Sequence, residues 1–394
     1  MAGGGRGWTR ARPVGRFALL AGAVTVLLAG CAQFPDSRPA ADWRERPSLT
    51  PQAGPEPRLP WESDDRSGSG RQDQATASIP PPDGCRDHDP AVIATCLSPI
   101  SAVVSLPDGE SAFAAERDGR VLRVTKGREP VEIARLTVDT AGGGGVTGLA
   151  LSPSYAEDQL VYAYVTTAED NRVVRFAPGD KAKPILTGIP RGGNGNRGAL
   201  ASDRQGALLV ATGDAGNPGA AADPGSLAGK VLRIDATGKP AAGNPSADSP
   251  VLASGLHSPG GLCTTRDGKA TWVTDQASDR DLLYKVRPGA LGAGAWNWPD
   301  KPGVAGCAAW QDGVMIALER DAAVVNVALN PDGSVSGQPQ RAEQDTYGQL
   351  SPLDLAPQGT HAFTGTINKT GGKTVSSDDR VLMLIRKPNG GGKD

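Results

Sequence analysis

From residue 98 onward one pattern of apolar and polar positions recurs along the chain. A turn signal with Pro, Asp or Gly leads into a short apolar run, then a polar gap, then a second short run. The turn at 106–109 precedes runs at 111–115 and 119–124, and the turn at 151–153 precedes runs at 160–165 and 172–176. The turn at 203–206 precedes runs at 208–210 and 231–234, and that at 266–268 precedes 270–273 and 281–286. A blurred copy follows at 313–318 and 324–329, and a last one at 361–364 and 380–385. The runs are strand-sized, and none keeps the 3.6-residue period of an amphipathic helix. The copies are spaced by roughly 45–60 residues, the size of a propeller blade. Six of them predict an all-β, six-bladed β-propeller, in which circular closure leaves only short strand edges.

Composition adjusts this picture at the ends. The 53 glycines and 33 prolines concentrate in turns and in the first 84 residues. Arg6, Arg10, Arg12 and Arg16 precede an apolar run at 17–30, too short to cross a bilayer and typical of an export signal. The run ends in Leu28-Ala29-Gly30-Cys31, which resembles a bacterial lipoprotein box. The expectation is a signal peptide at 1–30, a lipidated Cys31 that anchors the exported protein to the cell membrane, and a disordered tether at 31–84. The propeller is expected over 85–388, with a polar tail at 389–394. A net charge of −2 argues against a nucleic-acid binder, and the chain is expected to be a monomer. Four cysteines remain beyond Cys31. In an exported chain they suggest two disulfides. Three pairings exist, and the one joining near neighbours, Cys85–Cys96 and Cys263–Cys307, is preferred.

The most informative stretch is 192–234, read as strand, turn, strand, long loop, strand. Asp214 sits where a strand ends, and such loops carry chemistry on rigid β scaffolds. Thr212-Gly213-Asp214-Ala215-Gly216 and Gly229-Lys230-Val231-Leu232-Arg233-Ile234 resemble paired motifs of the soluble pyrroloquinoline-quinone (PQQ) dependent glucose/sorbosone dehydrogenases. The segments at 148–153, 243–245, 255–262 and 294–299 continue the resemblance in the family's order, over about residues 100–300. The resemblance implies a six-bladed propeller that binds PQQ and calcium over its axis and oxidises a sugar, with a histidine as general base and an aspartate supporting it.

On that alignment the supporting aspartate falls on Asp214, but the base falls on Gly195, and no histidine lies between 180 and 250. Asn196 remains beside it. The family's cofactor-touching Arg-Asn pair falls on His257-Ser258. Gln276 matches a cofactor-site glutamine, and the backbone carbonyls of Ala277 and Ser278 are the implied calcium ligands. Lys369, Lys373 and Arg380 are late candidates for the PQQ carboxylates. Lys230 and Arg233 read as strand-surface charges, and Trp296, Trp298 and Trp310 as filling between blades. Two functions follow. One is an envelope dehydrogenase of aldoses or aldehydes in which Asp214 or a water replaces the missing base. The other is a propeller without catalysis that binds a glycan or an envelope protein.

Overall fold

A computed structural model describes residues 79–386. The expected signal peptide, Cys31, most of the tether and the polar tail lie outside the described residues. Residues 79–84, expected to end the tether, already touch the domain, since Ser376 Oγ donates to Pro82 O (3.0 Å).

Six antiparallel sheets form in chain order. Blade 1 comprises Ile100–Ser105, Ser111–Glu116, Arg120–Thr125 and Val131–Arg135. Blade 2 comprises Val146–Leu151, Val161–Thr166, Asn171–Phe176 and Lys183–Ile189. Blade 3 uses Gly198–Ser202, Leu208–Thr212, Lys230–Ile234 and Val251–Ser254, and blade 4 uses Pro259–Thr264, Thr271–Gln276, Asp281–Lys285 and Trp296–Trp298. Gly289–Ala290, from a blade 4 loop, adds a parallel strand to the edge of blade 3. Blade 5 has Val304–Trp310, Gly313–Leu318, Ala323–Ala328 and Gln340–Ala342, so the blurred copy is a full blade. Blade 6 takes Leu350–Leu355, His361–Thr366 and Val381–Ile385 from the end of the chain, and Val92–Ala94 from its start. Val92 pairs with Leu382 and Ala94 with Val381, so the ring closes through backbone hydrogen bonds.

Among the described residues the core is six wedges, one between each pair of neighbouring blades. Innermost strands are covered on both faces, and Ile100–Ser105 is buried along its whole length. This removes the alternation of a one-sided strand, so the innermost strands were the ones the apolar pattern left out. Trp272 and Trp298 fill the wedge between blades 4 and 5. Trp310 packs at the blade 5–6 wedge and donates from Nε1 to Gly359 O (2.8 Å). Both preferred disulfides are present. Cys263–Cys307 ties the innermost strands of blades 4 and 5, and Cys85–Cys96 pins the segment that leads into and out of the closing strand.

Lys230 corrects its reading as a surface charge. It is fully buried, and Nζ donates to the carbonyls of Ala220, Ala221 and Ala228 at 2.8–2.9 Å. Ala220 and Ala221 belong to a short helix, Pro218–Ala222, inside the loop predicted to be irregular. Pro218 sits at its first turn, where the missing N–H costs nothing, and Lys230 satisfies carbonyls at its end. Burial lowers the Lys230 pKa. Arg233 is also half-buried, paired with Asp203 (2.8 Å).

Removing the inter-blade link with Cys263→Ala/Cys307→Ala is expected to lower stability by about 2–4 kcal/mol in denaturant unfolding, measured against the oxidised parent.

Candidate active site at the axial mouth

In each antiparallel blade, the loop entering the innermost strand and the loop between the second and third strands fall on the same face. Residues at those junctions therefore surround the axis. Asp214, Gly195, Asn196, His257, Ser258, Gln276, Ala277 and Ser278 all belong to this set, so the structure gathers every site residue expected from the sequence on one face.

Their roles differ. Gly195 has φ +66°, and a Cβ there would lie 2.7 Å from Asp214 Oδ1 and 2.8 Å from Gly216 N. The loops 192–198 and 213–216 meet backbone to backbone, which leaves no room for any side chain at 195, let alone an imidazole. Asp214, expected as the catalytic carboxylate, is 6% exposed. Its Oδ1 accepts Gly216 N–H (2.8 Å), and its own N–H donates to His257 O (2.8 Å). It shapes the turn. Asn196, expected at the cofactor, is wholly buried. Its amide donates to Gly192 O (2.7 Å) and to Ala141 O and Gly142 O (both 3.3 Å), so the glycine run at 141–145 packs beneath this loop. Asn196 holds these loops together.

His257 lies on the same face, two residues before the innermost strand of blade 4. Its side chain is 34% exposed, and Nδ1 lies 3.3 Å from Asp275 Oδ2. Asp275 is fully buried and also accepts the backbone N–H groups of His257 (3.0 Å) and Ser258 (2.7 Å). An acceptor-only carboxylate at Nδ1 puts the proton on that nitrogen and leaves Nε2 as the basic one. The bond to Asp275 raises the His257 pKa against the opposing effect of burial, and the charges of Asp275 and Asp214 add to the rise.

The axis itself is spanned by charge. Arg197, before the innermost strand of blade 3, grips Glu319 of blade 5 with both terminal nitrogens (3.0 and 2.7 Å). Ser351 of blade 6 donates to Glu319 (2.7 Å). Gln276 of blade 4 donates to Val304 O (2.9 Å) and Glu319 Oε2 (3.3 Å). Burial would raise the Glu319 carboxyl, but Arg197 and its companions hold it below the usual range. Arg117, just past the second strand of blade 1, makes no side-chain hydrogen bond to a described residue. Burial and the positive charge of Arg197 lower its pKa, against a smaller pull from Glu319. A guanidinium in that state gains from any added carboxylate. Of the late candidates, Lys373 is exposed and the other two are engaged elsewhere. Arg380 is buried against Asp87 and Asp378, and Lys369 Nζ donates to Leu97 O (2.6 Å). Arg117, Arg197 and Glu319 were missed because each reads as an ordinary turn charge. Their signal is positional: all lie next to a strand end on the loop face.

Ala277 O and Ser278 O do converge, as expected of calcium ligands, but on the ammonium of Lys301, at 2.9 Å each. Calcium takes six to eight oxygens, and no cluster of three or more His, Cys, Asp or Glu able to hold a metal occurs among the described residues. With the Lys301 ammonium seated on both carbonyls, this donor set does not fit calcium. PQQ, a tricarboxylate quinone, fits the charge of the mouth through Arg117, with His257 and Ser258 at its edge.

The opposite end of the axis is open. A cavity of about 650 Å³ there is lined by Ser105, Ser202, Arg204, Arg266, Asp354 and Tyr155, among others. Ser105 donates to Asp354 from N–H (2.7 Å) and Oγ (2.6 Å).

A six-bladed propeller with a polar, histidine-bearing mouth over its axis is the architecture of the quinoprotein sugar dehydrogenases. The glucose/sorbosone dehydrogenase family model matches residues 98–299, about half of the chain, and the chain belongs to that family. Among solved structures it is similar to the PQQ-bound aldose sugar dehydrogenase of Streptomyces coelicolor, with 29% identity over 78% of this chain and 99% of that one, TM-score 0.67. A putative oxidoreductase (glucose dehydrogenase) from Thermus thermophilus is also similar, with 29% identity over 75% of this chain and 98% of that one, TM-score 0.68. The soluble aldose sugar dehydrogenase of Escherichia coli, at 19% identity over 75% of this chain and 99% of that one and TM-score 0.64, shares the fold. No curated protein sequence matches the chain.

Gly195→Ala is expected to destabilise the protein by about 1–3 kcal/mol, from left-handed backbone strain and the clash with Asp214. Gly193→Ala, where a Cβ meets nothing within 4 Å, should stay near the parent. Thermal unfolding of both checks this.

Proposed function

We propose that the protein is an envelope sugar or aldehyde dehydrogenase of the PQQ-dependent kind, in which His257 takes the part the alignment assigned to position 195. The carrying observation is the His257–Asp275 pair on the loop face, with Nε2 left basic. Family membership and the PQQ-bound relative support PQQ as the cofactor. When bound, PQQ accepts the hydride of the substrate's C1–H bond. Arg117 would hold one of its carboxylates, near the Arg197–Glu319 pair that spans the axis. His257 receives the substrate hydroxyl proton at Nε2, Asp275 keeps the ring oriented and stabilises the imidazolium that results, and Asp214 fixes the His257 backbone through its N–H.

A base must be neutral to act, so a raised His257 pKa moves the acid limb of kcat/KM above the ordinary histidine value of about 6.5. His257→Gln is expected to lower kcat by about 10²–10⁴-fold, with PQQ binding retained. Asp275→Asn should move the acid limb to lower pH. Dye reduction with a panel of aldoses, run across pH on PQQ-loaded protein, measures all three. If PQQ does not bind, the dehydrogenase reading fails.

A second reading, a glycan-binding propeller without catalysis, is favoured by one observation. The open cavity lies at the end of the axis away from His257, and it offers Tyr155, Asp354 and two arginines, the mixture of ring face and polar groups that a saccharide engages. Glycan binding that persists without PQQ would support it.

We also propose that either activity is held at the membrane through Cys31. Cys31→Ser should shift the protein from the membrane to the soluble fraction on cell fractionation, because about 0.8 kcal/mol is lost per buried CH₂ of the missing acyl chains.

A further inference from the structure

Lys301 follows the outer strand of blade 4 in a left-handed conformation, φ +52°. Its N–H donates to Trp298 O (3.3 Å), and its carbonyl accepts the Arg320 guanidinium. The backbone is thus held on both sides of the residue. The side chain reaches back to the loop between the second and third strands, where Nζ meets the carbonyls of Ala277 and Ser278.

Two further groups mark this as a seat for positive charge. Asp281 is fully buried, and its Oδ2 accepts Gly303 N–H (2.6 Å) and Val304 N–H (3.1 Å). Its Oδ1 has no hydrogen-bond partner among the described residues. Burial raises the Asp281 pKa, against the Val304 and Gly303 N–H bonds and, after them, the charges of Arg320 and Lys301. Asp279, lowered first by Arg280, also feels Lys301. Paired carbonyls and neighbouring carboxylates are the oxygen chemistry of a hard cation.

We propose that Lys301 is a built-in cation that replaces a divalent metal ion on this face, so that the loop at 277–280 is ordered, and the mouth works, without calcium. An ammonium satisfies the two carbonyls with two N–H bonds and brings its charge on the chain itself, so it is not lost by dilution or chelation. The inference concerns how the loop is held and stands for either reading of the mouth.

The test uses the whole chain, with thermal midpoints in EDTA and in millimolar CaCl₂, and Tb³⁺ luminescence sensitised by the tryptophans of blade 4. The parent midpoint should be the same in both buffers, with no Tb³⁺ signal that Ca²⁺ displaces. Lys301→Met should lower the midpoint in EDTA, regain at least half of the loss in Ca²⁺, and acquire a displaceable Tb³⁺ signal. Lys301→Arg, which keeps the charge, should behave as the parent. Should Lys301→Met not fold, Lys301→Gln carries the same readout. A parent stabilised by Ca²⁺, or an uncharged variant that gains no response to Ca²⁺ or Tb³⁺, overturns the proposal.

Discussion

The structure depends on how closely neighbouring innermost strands approach at the axis. A Cβ at Gly306 would lie 2.1 Å from Leu353 N on the next blade, and one at Gly148 would lie 2.9 Å from Leu200 N. Only glycine permits these distances, and alanines line much of the rest, as at Ala305 and Ala308. Close approach narrows the channel, and the blades diverge outward into wedges that larger side chains fill. Trp272 and Phe363 are fully buried in two of them. Burying such rings contributes on the order of 2–3 kcal/mol each, and each needs both neighbouring blades as walls.

The narrow axis also sets the chemistry of the mouth. Junction residues of several blades converge there, and charges that would be solvated turn residues elsewhere must find partners at short range. Arg197 and Glu319 solve this across the axis, between blades that share no sheet. Lys301 solves it within blade 4. A buried ion pair is seldom a large net source of stability, because desolvation offsets the attraction. Its effect here is to fix the relative placement of opposing blades. Arg117 and His257 differ from these, one without a hydrogen-bonded anion among the described residues and the other with a partly exposed ring whose Nδ1 alone is paired. They are the groups with capacity left for a ligand.

The number of blades and the middle strands of each were legible in the sequence, because turn signals and short apolar runs are local properties, and the preference for near-neighbour cysteines matched both disulfides. The faint fifth copy was legible only in part, since Val304–Trp310 is buried on both faces and carries no period of two. The buried Lys230 was not legible at all. Its alternation with apolar neighbours matches a surface strand, and only the fold of Pro218–Ala222 against it reveals three carbonyls that need a cation.

At the candidate site the division is sharper. Sequence alone determined that position 195 bears no side chain, and the family resemblance it carries pointed to the loops at 195–198, 213–216, 257–258 and 276–278. The tertiary structure alone decided that the imidazole at the mouth comes from His257 with buried Asp275 behind it, that Asp214 and Asn196 are tied into turns, and that the cation at the Ala277 and Ser278 carbonyls is Lys301. The reason is geometric. Partners such as Arg197 and Glu319 lie on different blades, and no local pattern encodes which side chains a closing ring will bring face to face.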